Sequence, residues 1–71
     1  SDFLLYPNPS NGWITLESKQ NIENLLIFNS IGNLVYKQRV NNTEATVDVH
    51  EFDLGVYYIQ VKFHGFYETH K

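Results

Sequence analysis

At 71 residues and without a cysteine, the chain is long enough for one domain with a thin core, and it has no disulfide or thiolate to call on. Five basic and eight acidic residues are scattered to a formal charge of −3, with no Lys/Arg stripe to neutralise phosphates, which argues against nucleic-acid binding. No apolar run approaches the roughly 20 residues of a membrane helix, and no basic segment leads an apolar one after Ser1.

These features lead us to expect a piece of a longer protein, any signal peptide lying upstream. Aromatic residues make up 15% of the chain and alanine occurs once, at Ala45. Aromatic and β-branched side chains suit half-buried pleated surfaces, whereas helices favour Ala, Leu, Glu and Lys. Strands are the expectation throughout.

The first strand is predicted over 3–6, broken by the turn-forming Pro7, Asn8, Pro9 and Gly12. Residues 13–17 alternate, with Ile14 and Leu16 on one face and Trp13, Thr15 and Glu17 on the other. Residues 18–24, polar apart from Ile22, read as a connection. The run 25–28 is the most apolar and suits a central strand. Asn29 opens a hairpin loop in which Gly32 is the natural left-handed residue.

The chain returns over 34–40, turns at 41–44, and alternates again over 45–49. Residues 56–63 form the cleanest pattern, with Tyr57, Ile59, Val61 and Phe63 on the expected core face. His64 and Gly65 read as a two-residue turn in which Gly supplies φ > 0 and His tolerates it. The returning strand is 66–71. About seven short strands and no helical period describe a small antiparallel immunoglobulin-like β-sandwich.

The stretch DVHEFDLGVYYIQV, beginning at Asp48, carries the most specific spacing. Gly55 lets the chain turn sharply into a strand, and Tyr57 sits just inside it. A tyrosine there can bury its ring and return its hydroxyl to the backbone upstream, as in the tyrosine corner of sandwich domains. Taken with LLYPNPSNGWITL and LLIFNSIGNLVY earlier in the chain, it completes three ordered blocks. Those blocks resemble the type A C-terminal sorting domain of the type IX (Por) secretion system over nearly the whole chain. The matching positions are Pro7, Asn8, Pro9 and Gly12, then Asn29 and Gly32, then Gly55 and Tyr57. Near the end of the chain the family carries a basic residue, matched by Lys71, with a few more apolar and basic residues expected beyond it.

The resemblance implies that residues 1–71 are a single C-terminal domain that performs no chemistry. It implies export of a cargo from the periplasm to the cell surface or medium of Bacteroidetes-type bacteria. The implied partners are an outer-membrane translocon, its shuttle protein and a sortase-like peptidase that removes the domain.

The chain also carries residue types that catalysis and metal binding use. His50, His64 and His70 fall near turns or the terminus, and no Ser sits at a strand-to-helix elbow, so no catalytic triad is expected. Asp48, Glu51 and Asp53 lack the ligand density and Gly of a calcium loop, and nothing calls for a metal or cofactor. Trp13, Phe28, Tyr36, Tyr58, Phe66 and Tyr67 could offer rings to a sugar, which keeps an autonomous adhesin or carbohydrate-binding module as the alternative. The terminal strand, if at a sheet edge, is expected to favour pairing between two copies.

Overall fold

A computed structural model describes residues 3–8 and 12–71, with backbone alone for 3–8 and 70. Among them are five strands and no helix: β1 Phe3–Asn8, β2 Trp13–Asn29, β3 Leu34–Asp48, β4 Tyr57–Phe63 and β5 Phe66–His70. All pairings are antiparallel. β2 is the hub: its first part lies between β1 and the end of β3, and its last part lies between the start of β3 and β4. β5 closes the far side of β4.

Five strands replace the seven expected because two breaks do not occur. Residues 18–24 and 41–44, read as a connection and a turn, are carried inside β2 and β3. They bend the strands instead of ending them. The β2–β3 register shifts between Glu17 and Ile22 and again between Ile22 and Asn24. Opposite this irregular stretch Asn41 has φ +50°, a left-handed conformation that Asn tolerates better than most residues. The alternation resets there. Ile14 and Leu16 face inward before it and Leu25 and Ile27 after it, even numbers giving way to odd, as an inserted bulge residue requires.

The first strand also runs further than expected. Pro7 pairs with Ile14 and Asn8 with Trp13, so the strand continues through the proline. β1 lies at a sheet edge, where a missing N–H can point away from the neighbour and breaks nothing. At the other hairpin, Phe63 pairs with Phe66 across His64 and Gly65 as expected. Only Gly65 takes positive φ, at +84°, so His64 does not use the left-handed region.

The bends bring apolar residues from both parts of the sheet into one cluster. Leu16, Ala45 and Val47 from the first part join Leu25, Ile27, Ile59, Val61 and Phe63 from the second, with Ile22 at the bend between them. Full burial of a Leu, Ile, Val or Phe side chain is worth about 1.5–3 kcal/mol, so this cluster carries most of the stability. Ile59, Val61 and Phe63 occupy the core face as expected, while Tyr57 at the head of the same face is half-buried against the cluster.

Because β2 folds back on itself, its two ends reach the same end of the molecule: Ile14 and Ile27 line one cleft, together with the 49–56 connection. The middle of β2, the bulge in β3 and the β4–β5 turn lie at the opposite end. There Asn21 bonds Asn41 at 3.1 Å, and Glu23 lies near Lys62 and His64 at 3.8 and 3.6 Å.

Candidate functional site

The three sequence blocks, separated by up to fifty positions, converge on the 49–56 connection. From the first block, the Gly12 carbonyl accepts the Val49 N–H at 2.7 Å. Gly12 has φ +68°, and the His50 ring packs so closely that a Cβ at this position would sit 2.5 Å from Cδ2. Trp13 meets the same ring edge-on at 6.3 Å between centroids. Asp48 fixes that ring: its Oδ1 accepts the His50 backbone N–H at 3.0 Å and contacts Nδ1. These two contacts, the backbone one foremost, hold the exposed Asp48 carboxyl below its usual range.

The second block contributes the β2–β3 hairpin. The Asn29 side-chain oxygen accepts the N–H groups of Ile31 and Asn33 at 3.2 and 2.9 Å. Its backbone bonds Gly32 and Asn33 as well, and Gly32 takes φ +89°. Asn29 thus ties the loop from inside, as Asx turns do. Register places it directly opposite Tyr57 at the head of β4.

The third block is the connection itself. The Tyr57 hydroxyl donates to the Asp53 carbonyl at 2.6 Å, four residues upstream, which is the corner expected from the spacing. Its ring lies 5.2 Å from that of Phe52, and the Phe52 N–H bonds the Val49 carbonyl at 3.1 Å. Gly55 has φ +154°, a region open almost solely to glycine.

Of the remaining block residues, Pro7 and Asn8 pair near the same end, whereas Pro9 lies outside the described residues. Lys71 is exposed and follows His70, whose partner in register is Ile59, so the chain is heading toward that end as well. The blocks therefore act as one structural unit.

Sequence reasoning missed what this unit displays. Ile31 and Leu54 are 80% and 103% exposed, and Val56 joins them. The three line one shallow groove with Asn29 and Tyr57. Beside it an apolar cleft of about 220 Å³ opens between Ile14, Ile27, Phe52 and Leu54. The available signal was an apolar residue inside each turn segment, where turn chemistry asks for none. Of the aromatics considered for a sugar platform, Phe28, Tyr36 and Tyr58 are half-buried. Trp13 is exposed at one end, and Phe66 and Tyr67 beside the β4–β5 turn at the other, so they form no common platform. A larger groove of about 400 Å³ at the far end is lined by Asn21, Glu23, Asn24, Arg39 and Asn41, without a ring.

Among the described residues no three acidic or histidine side chains gather as metal ligands, and no helix is long and apolar enough to cross a membrane. The chain matches the family model for the secretion system C-terminal sorting domain over residues 4–71. It belongs to that family.

The sorting domain is thus a C-terminal signal for type IX secretion, a non-catalytic unit that engages the secretion machinery for export to the cell surface or medium. It is also similar to an ulvan lyase of Nonlabens ulvanivorans, 42% identical over 60 residues. That match spans 80% of this chain and 11% of the lyase, so the enzymatic name describes a protein of which the shared region is a small part.

Proposed function

We propose that residues 1–71 are the last domain of a longer exported protein and fold as an immunoglobulin-like sandwich. In this reading the cargo first crosses the inner membrane, and its terminal domain is then recognised in the periplasm by a shuttle protein and the outer-membrane translocon. A sortase-like peptidase removes it on export. The family match over 4–71 carries the proposal. The cluster shared by both parts of the bent sheet and the Tyr57–Asp53 corner support the sandwich. Pro7, Asn8, Pro9, Gly12, Asn29, Gly32, Gly55, Tyr57 and Lys71 act in it by shaping the surface that the machinery reads.

The test is a reporter with its own inner-membrane export signal, fused ahead of this domain and expressed in a bacterium with a type IX system. The reporter is expected on the cell surface or in the medium. Retention in the periplasm, in a strain that exports its native cargo, would overturn the reading. The free edge of β5 also supports pairing between two copies, although Glu68 stands opposite the buried Val61 on the core-facing side and limits it. Sedimentation at increasing concentration decides that point.

A further inference from the structure

We propose that the patch of Ile31, Leu54 and Val56, with Asp53 lining it and Glu51 in the adjoining groove, is the face on which the sorting domain docks. Its partner is a protein surface presenting a bulky apolar side chain flanked by Lys or Arg. The inference rests on the sorting-signal reading and names the surface and the partner chemistry.

The first ground is exposure without slack. Leu54 and Ile31 are nearly fully exposed, yet the loops that carry them are tied by the Tyr57–Asp53 and Asn29–Asn33 bonds. Positive φ at Gly55 sets the chain path between Leu54 and Val56, both of which stay exposed. Apolar side chains held outward on pre-ordered loops lose little freedom on binding, which is how a docking anchor is built. The cleft beside them opens onto the core residues Ile27 and Ile59 and offers a seat for one apolar side chain.

The second ground is charge. Residues 40–61 contain Glu44, Asp48, Glu51 and Asp53 and no Lys or Arg, and residues 24–36 contain no charge at all. The acids at the patch are Asp53 and Glu51, with Lys71 on the chain end heading toward the same end of the molecule, whereas Lys19, Arg39 and Lys62 lie toward the opposite end. A second copy docking through the same face would set acids against acids, and an anionic lipid surface would be repelled. A basic-rimmed protein surface is the complementary occupant.

The experiment uses the exported reporter fusion, with melting of the fusion as the folding check. Ile31→Asp combined with Leu54→Asp should lower surface reporter at least tenfold without moving the melting transition. Leu54→Ser should give a smaller loss. Glu51→Lys with Asp53→Lys should also lower export, while Lys19→Glu with Arg39→Glu should leave it unchanged.

Failure of the unaltered fusion to leave the periplasm would remove the sorting reading itself. Normal export of the unaltered fusion together with normal export of a folded Ile31/Leu54 variant would overturn the docking face alone. Acid reversal without effect, or an equal loss from Lys19→Glu with Arg39→Glu, would overturn the basic partner. A dimer in sedimentation that Leu54→Asp dissolves would assign the face to a second copy instead.

Discussion

The two ends of this molecule solve opposite problems. At the far end, Asn41 and the polar run around Ile22 let two long strands bend without breaking, and the groove at the surface there is polar and of mixed charge, with the Phe66 and Tyr67 rings beside the β4–β5 turn. At the other end, Gly12, Asn29, Gly32, Gly55 and Tyr57 stop strands and tie loops, and what shows is apolar with an acidic rim. Unusual backbone at the far end serves the fold. At the other it serves a surface. The lesson is that a special residue is read by what its conformation exposes, not by its type.

Both ends hang on one core, and breaking that core should abolish the distinction. Phe63→Ala removes a buried ring next to Phe66, whose centroid lies 5.1 Å away. Such truncations cost about 3–5 kcal/mol, comparable to the whole stability of a domain this small at about 0.05–0.15 kcal/mol per residue. The variant should show no cooperative melt by circular dichroism. A transition shifted by only a few degrees would mean that the two parts of the sheet do not share a core.

Gly12→Ala attacks the end where the three blocks meet, and leaves the far end alone. A left-handed φ costs a non-glycine residue about 1–2 kcal/mol, and the added Cβ would press on the His50 ring. Denaturant unfolding should register the loss. Adding His50→Ala should recover only the steric share, because the φ penalty stays. Full recovery would place the whole cost in the ring contact.

Tyr57→Phe keeps the ring and deletes the hydroxyl that holds the Asp53 carbonyl. A net loss of about 0.5–1.5 kcal/mol is expected, with faster amide exchange confined to 49–56. Equally faster exchange around Asn41 would show that the two ends are not independent.

The smallest effect concerns pH. The folded carboxyl of Asp48 is held below its usual range, so its contribution is present above the unfolded value near pH ~4 and fades as pH falls through the folded one. Asp48→Asn should therefore lower stability slightly near neutrality without changing the slope there, and flatten the acid limb of the stability profile. An altered slope near neutral pH would point to a different group.

Much was legible in the residues themselves. Alternation marked Tyr57, Ile59, Val61 and Phe63 as the core face, of which the last three are buried and Tyr57 half-buried, and the Gly55–Tyr57 spacing gave the corner, because both depend on local geometry with a fixed period. The strand count was not legible. Residues 18–24 and 41–44 carry polar, turn-like side chains, and only pairing across β2 and β3 turned those turns into bends. Proline at position 7 misled for a related reason: whether it ends a strand depends on which side of that strand has a neighbour.

By itself the sequence determined that this protein is built of antiparallel strands, that its turns fall where glycine and asparagine permit them, and which family it belongs to. Each of these is written in short-range residue order. Tertiary structure alone decided that the three blocks meet at one end and that Leu54, Ile31 and Val56 stand outward there within an acidic rim. That juxtaposition depends on where β2 folds back, at the register shifts between β2 and β3 around Ile22, and pairing between distant strands has no local signature.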